Sequence, residues 1–286
     1  MATFRQMISG PDIVHAPYVF NPISAKLAEQ AGFKALYLGG GGLGYVKCIT
    51  EANLTLPELV QEGIAIRSVC PVPLILDGAC GWGDPMHMHR TIPLAEAAGF
   101  CAIEIEDQIL PKRVHHHAGV EHVIPLEAMV DKIKEAVAAR TDPDFVTIGR
   151  TNAANTDGLE EAVRRGLAYK EAGADMLFCF TRDLAMLRPL GERLPGPLMT
   201  MVPPGKGANG LGVPLDELKR LGYRLLVDPM SPLLAMHRAL RLSYQAMATG
   251  QGDALVGANG REEVDAIHET IELETLLEIE RRTVEH

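Results

Sequence analysis

The chain has 286 residues, 47% of them hydrophobic, and a formal net charge of -10 at pH 7. That acidity excludes the clustered Lys and Arg that a nucleic acid or an anionic membrane surface needs, and it leaves small molecules as the expected ligands. Five cysteines (Cys48, Cys70, Cys80, Cys101 and Cys179) lack metal-ligand spacing, and their odd number does not suit a secreted disulfide framework, so a reducing cytoplasm is expected.

Short β-rich runs alternate with amphipathic segments, the pattern of repeated βα units around a parallel sheet. Strands are predicted at 15–19, 35–38, 73–76, 102–106, 146–150, 176–179, 198–202 and 225–228, which are the eight that a closed barrel requires. Helices predicted at 24–31, 94–98, 159–172 and 215–221 each run into a glycine, Gly32, Gly99, Gly173 and Gly222, that supplies a left-handed cap. After Asp228 a helix is predicted to Ala248, then a polar, Gly-rich link over 250–260 and a last helix over 262–282. This tail is too polar to form a core alone and is expected to pack across the domain or onto a partner subunit. The expected organisation is one (β/α)8 barrel domain over 1–286, with 249–286 as linker and C-terminal helix. No apolar stretch reaches the roughly 18 residues of a membrane span, and no leader-like N-terminus is present, so a soluble, untargeted protein is expected.

Chemistry-bearing residues gather where strands end. Leu74-Ile75-Leu76 runs into Asp77 before Gly81-Trp82-Gly83, and Val146-Thr147-Ile148-Gly149 runs into Arg150 and Asn152. Glu104-Ile105-Glu106-Asp107-Gln108 is followed by Pro111-Lys112-Arg113 and by His115, His116 and His117. In a parallel barrel these ends share the face that carries the chemistry. Three consecutive histidines also read as a solvated loop, and only one or two of them can face a single site. The run Gly39 to Gly42 lacks the lysine and spacing of a phosphate-binding loop. His87 and His89 read as a helix N-terminus or core packing, and Met199, Met201, Met230 and Met236 as core or pocket lining.

Taken in order, Tyr37-Leu38-Gly39-Gly40-Gly41, Asp77 with Gly81-Trp82-Gly83, Ile105-Glu106-Asp107-Gln108 with Pro111-Lys112-Arg113, Gly149-Arg150-Thr151-Asn152-Ala153 and Glu171-Ala172-Gly173-Ala174-Asp175 resemble the isocitrate lyase and phosphoenolpyruvate mutase superfamily, over roughly Asn21 to Met247. The resemblance implies a modified (β/α)8 TIM-type barrel with a C-terminal helical extension exchanged between subunits, in a tetramer or dimer of dimers. It also implies a bound Mg2+, with Mn2+ as an alternative, and a small carboxylic acid as substrate. The implied chemistry makes or breaks a C–C or P–C bond beside a 2-oxo acid or its enolate. An enolate needs a hard cation, which oxygen ligands hold. Asp77 and Glu106 are therefore the expected metal residues, with Glu51 as a third candidate. Tyr37, Gly39, Gly40, Gly41, Arg150 and Asn152 are the expected substrate contacts, Arg150 through its bidentate fork. His116, at the family's histidine position, is the first choice of proton carrier, with His115, Lys112 and Arg150 completing the catalytic set.

The departures from the pattern narrow the reaction. Val114 stands where isocitrate and methylisocitrate lyases carry an acidic cysteine, so neither activity is expected as such. Ala79 replaces one metal-side carboxylate, which the longer reach of Glu51 partly offsets. Cys179-Phe180 and Thr200-Met201-Val202 replace polar carboxylate binders, which points to a substrate with fewer carboxylates or with an alkyl group. The mutase branch's Asn-Ser pair after Pro-Lys is missing. The expected function is a Mg2+-dependent lyase or decarboxylase cleaving a C–C bond in a small 2-hydroxy or 2-oxo mono- or dicarboxylic acid through an enolate, and the alternatives are phosphonate chemistry of the phosphoenolpyruvate mutase or phosphonopyruvate hydrolase type or a non-catalytic carboxylate-binding barrel.

Overall fold

The computed structural model describes residues 2–284. The chain divides into two compact units, one up to Ser231 and one from Pro232 onward. In the first, helix α1 (Phe4–Ser9) precedes strand β1 (Val14–Pro17), and seven further parallel strands follow: β2 (Leu36–Leu38), β3 (Leu74–Asp77), β4 (Ala102–Glu106), β5 (Val146–Thr151), β6 (Met176–Cys179), β7 (Leu198–Met201) and β8 (Tyr223–Asp228). From β2 to β8 each strand pairs with the next in sequence, and β1 pairs with β8, leaving β1 and β2 as the two edges. A parallel bridge from Tyr18 to Tyr37, with Val19 N donating to Tyr37 O at 2.9 Å, draws the two edges together into a nearly closed barrel.

The helices between the strands are α2 (Pro22–Gln30), α3 (Gly40–Val46), α4 (Leu56–Arg67), α5 (Met88–Ala97), α6 (Leu126–Ala138), α7 (Ala153–Thr156), α8 (Leu159–Glu171), α9 (Leu187–Arg193) and α10 (Leu215–Arg220). The expected glycines do close their helices in the left-handed region, with φ of 90° at Gly32, 82° at Gly99, 105° at Gly173 and 88° at Gly222. The second unit holds most of α11 (Ser231–Ala248), then α12 (Gly260–Thr270) and α13 (Leu273–Thr283). The single last helix expected over 262–282 is in fact two, because Glu272 takes a left-handed backbone at φ 57° and breaks the run.

Strand alternation builds the site. Side chains at every second position face one side of a strand. Ile75, Ala102, Val146, Ile148, Met176 and Phe178 share the core cluster inside the barrel, while Leu74, Leu76, Ile103, Ile105 and Leu177 belong to the cluster between sheet and helices. Continuing the inner phase by two residues carries Ile75 to Asp77, Ala102 to Glu104 and Glu106, and Ile148 to Arg150. The register sets Asp77 beside Glu104, and Arg150 between Glu106 on one side and Phe178 on the other. One apolar layer therefore supports a polar layer at the carboxyl ends of the strands.

Candidate active site

Asp77 is buried at the end of β3. Its Oδ1 accepts from Ala79 N at 3.0 Å and its Oδ2 from Gly40 N at 3.2 Å, at the start of α3. Burial, and then the neighbouring carboxylate of Glu51, push its carboxyl above the ordinary value. Glu106 is wholly buried and is held from both sides, with Oε1 accepting from Lys112 Nζ at 2.5 Å and Oε2 from Asn152 Nδ2 at 3.0 Å and Gln108 Nε2 at 3.3 Å. Burial opposes its charge, yet Lys112 and Arg150 outweigh burial and bring its carboxyl below the usual range. Lys112 also pairs with Glu51, so one ammonium joins two carboxylates that lie far apart in sequence. Glu51 is held well below the usual carboxylate range, because Lys112 and His116 overcome the cost of its burial.

Arg150 donates within the protein from both terminal nitrogens. Nη1 donates to Glu104 Oε1 at 2.6 Å and Nη2 to Asn152 Oδ1 at 3.1 Å, while Nε lies 3.3 Å from Glu106 Oε2, off line for a hydrogen bond. Its guanidinium carbon sits 5.2 Å from the Phe178 ring centre and 4.9 Å from that of Phe180, both within cation–π range. Glu104 also accepts from Tyr37 Oη at 3.0 Å, and burial pushes its carboxyl up to about 8 against the pull of Arg150. Glu104 is a site residue that sequence reasoning passed over. Its signal was present in the strand phase, which places it on the same face as Glu106.

Asp107 points the other way, out of the barrel. It accepts from Thr151 Oγ1 at 2.6 Å, Asn152 N at 3.0 Å, Tyr169 Oη at 2.7 Å and Arg165 Nη1 at 3.1 Å, and so ties the ends of β4 and β5 to α8. Asn152 is thereby fixed by its backbone to Asp107 and by its side chain to Glu106.

The segment after β4 folds as a short 3-10 turn over Val114–Ala118. His116 Nδ1 meets Arg113 O at 2.6 Å and its Nε2 lies 3.2 Å from Glu51 Oε2, close enough for ion pairing but off line for a hydrogen bond. Burial works against its protonation, but the contacts with Glu51 and Arg113 raise its pKa on balance. His115 is not brought to this cluster, being exposed with its ring facing that of His122. Gly39 caps α3, and Gly40 and Gly41 lie against Glu51, which a Cβ at Gly40 would meet at 3.2 Å. His87 accepts from the Asp84 amide at the N-terminal side of α5, and His89 pairs with Glu135 at 2.7 Å.

Beside the carboxylates opens a cavity of about 460 Å³ lined by Glu51, Ala79, Cys80, Trp82 and Lys112 among others. Trp82 is held in its wall by a 3.2 Å hydrogen bond from Nε1 to Leu54 O. Among the described residues no three of His, Cys, Asp and Glu already converge as a ligand set. Mg2+ needs no such set, since it takes one or two carboxylates and keeps several waters. Glu51 and Glu106 raise the Asp77 carboxyl and Glu51 raises that of Glu106, while Lys112 lowers all three, so these oxygen donors share a need for positive charge. The residues fit a hard divalent cation.

Carboxylates, a buried arginine and a histidine-bearing loop at the carboxyl ends of eight parallel strands agree with comparison to known proteins, in which the phosphoenolpyruvate phosphomutase family model matches residues 4–248. The chain belongs to the phosphoenolpyruvate mutase/isocitrate lyase superfamily. Its superfamily relatives include the 2,3-dimethylmalate lyase of Eubacterium barkeri, 35% identical over 246 residues that cover 84% of this chain and 83% of the relative. The 2-methylisocitrate lyase of Aeropyrum pernix is 37% identical over 238 residues, covering 82% of this chain and 75% of that protein. Among solved structures, a phosphonopyruvate hydrolase in complex with oxalate and Mg2+ superimposes with a TM-score of 0.84 at 30% identity, covering 98% of this chain and 97% of that one.

Proposed function

We propose that this superfamily member is a Mg2+-dependent carbon–carbon lyase or decarboxylase acting on a small 2-hydroxy or 2-oxo acid through an enolate. The observation that carries the reading is the Lys112 ammonium joined to Glu51 and Glu106, with Asp77 above the same apolar layer and His116 brought in by the loop. Asp77 and Glu106, with Glu51, would hold the cation, which supplies charge stabilisation to an oxyanion that develops during bond cleavage. Lys112 adds fixed positive charge at the same place. Arg150, braced by Glu104 and Asn152, would orient the substrate carboxylate together with the amides of Gly39, Gly40 and Gly41, and Tyr37 holds Glu104 in place. His116, whose proton is retained by Glu51, would deliver or remove the proton at the enolate carbon or the hydroxyl, and the 3-10 turn would shut water out.

Phe178 and Phe180 pack against the Arg150 guanidinium, and Val114 is exposed on the loop. These apolar surfaces support an alkyl-bearing acid over a tricarboxylate. Its five free thiols support a reducing, cytoplasmic location. Among the described residues no helix is long and apolar enough to cross a membrane. The amphipathic helices α12 and α13 leave Val264, Ile267, Leu276, Leu277 and Ile279 exposed, which supports an arm that engages another copy in a tetramer. Light scattering on purified protein tests that assembly, and a monomer would remove it.

The activity test is release of a 2-oxo acid from oxaloacetate, 2-alkylmalates, methylisocitrate and phosphonopyruvate, with Mg2+ or Mn2+ and then with excess chelator. Chelator-sensitive turnover of an alkylmalate or oxaloacetate supports the lyase. Turnover of phosphonopyruvate alone transfers the site to P–C chemistry, and oxalate binding without any turnover makes it a carboxylate-binding barrel.

A further inference from the structure

His117 follows the proton-carrying histidine in the chain and is exposed, yet it does not line the cavity and both of its ring nitrogens are engaged. Its Nδ1 lies 2.9 Å from Tyr45 Oη and its Nε2 2.7 Å from Thr50 Oγ1. Both hydroxyls belong to the stretch that follows β2, some seventy residues earlier in the chain. That stretch is folded back on itself. Ile49 N donates to Gly44 O at 2.9 Å, Cys48 takes a left-handed backbone at φ 57°, and a Cβ at Gly44 would sit 2.8 Å from Glu51 N. Only glycine at position 44 lets the backbone of Thr50 and Glu51 come this close to α3. The close approach brings Tyr45 and Thr50 to one imidazole and sets Glu51 next to them.

A 3-10 turn has three residues per turn, so successive side chains project about 120° apart. The three histidines accordingly point three ways: His115 toward His122, His116 toward Glu51, and His117 toward Tyr45 and Thr50. Fixing the azimuth of His117 therefore fixes that of His116, whose ring lies with its centre 3.9 Å from the His117 ring. We propose that His117 is a positioning residue, a latch that docks the Val114–Ala118 turn onto Tyr45 and Thr50 and thereby sets His116 against Glu51 and Lys112 between Glu51 and Glu106. His117 touches no reacting atom in this account. The role in turnover rests on the lyase reading, whereas the docking itself does not.

The test is His117→Ala in the full-length protein, read by hydrogen exchange over residues 112–119 and by steady-state kinetics on whichever acid the wild type turns over. Amide exchange in that segment should rise roughly tenfold or more while the barrel strands keep their protection. The value of kcat should fall roughly tenfold or more, with KM moving less than about threefold, because the proton carrier loses its aim while the carboxylate contacts stay. His117→Gln, which can still reach a hydroxyl, should recover part of both. Tyr45→Phe should show a smaller loss of the same kind and add little on top of His117→Ala, which already removes the Tyr45 contact along with that of Thr50. Unchanged exchange in 112–119 overturns the latch whatever the kinetics do. Faster exchange spread across the strands, with a matching fall in Tm, overturns it in favour of a merely structural residue. A wild type inactive on every acid sinks the lyase reading alone, and the exchange experiment still decides the docking.

Discussion

Arg150 Nη1 lies 2.6 Å from Oε1 of the buried Glu104, so the residue expected to grip a substrate carboxylate is already paired with a protein carboxyl. Removing one partner of such a buried pair strands the other. Glu104→Leu should cost roughly 3–5 kcal/mol of stability, whereas Glu104→Gln, which keeps an oxygen for Arg150, should cost only about 1 kcal/mol. Denaturant unfolding of the two variants checks this. Equal losses would mean that the pairing contributes nothing to the fold.

Asp77→Asn should remove metal-dependent turnover and leave the fold intact, because Asp77 sits at the rim and its two backbone contacts survive in part through the amide oxygen. Circular dichroism, together with turnover across a Mg2+ titration, checks both halves. Full activity in the variant would show that the carboxylate is not a metal residue.

His116→Ala should lower kcat by roughly 10²–10⁴, the usual contribution of a placed acid or base, with little change in KM. A change confined to KM would assign His116 to binding.

Thiol chemistry gives a pH-dependent prediction. Burial pushes the thiols of Cys101 and Cys179 up to about 12 and raises those of Cys70 and Cys80 above the usual range, while Cys48 is exposed. At pH 8 a thiolate-specific reagent should label Cys48 fast and the other four only after unfolding. The sign of the linked stability change follows from protons held. Above pH 9 the unfolded chain releases thiol protons that the native chain retains, so stability should fall as pH rises, by about 1.4 kcal/mol per pH unit for each such thiol. Rapid native labelling of several cysteines would refute the burial argument.

Gly63 sits inside α4, where Gly→Ala ordinarily stabilises a helix by about 1 kcal/mol. Here a Cβ would meet the buried Phe100 ring at 2.3 Å, so the sign should reverse and Gly63→Ala should cost about 1–3 kcal/mol. A raised Tm would show that the ring can move aside.

The strands and the glycine-closed helices were legible because apolar runs and left-handed caps are local signals. Helix α3 was not, because Gly-Gly-Gly-Leu-Gly-Tyr-Val has poor helix propensity. Its glycines answer to tertiary contacts instead, since a Cβ at Gly42 would collide with Tyr18 at 2.4 Å. The Asp77, Glu106 and Arg150 neighbourhood followed from strand phase, and the structure does bring these residues together with Glu51 and Lys112. The Lys112 bridge itself joins segments distant in sequence, and no local pattern announces it. Asp107 shows the opposite case: it shares a motif with Glu106, but strand alternation turns it outward to brace α8. The division of labour among His115, His116 and His117 depends on a single 3-10 turn, which sequence alone does not resolve.

Trp82 is the chain's one tryptophan, and it stands in the wall of the cavity beside Lys112. The protein thus carries a built-in optical gauge with a single address. Any change in its ultraviolet emission on adding Mg2+, oxalate or a candidate acid originates at the pocket rim, so occupancy can be titrated label-free before a turnover assay exists.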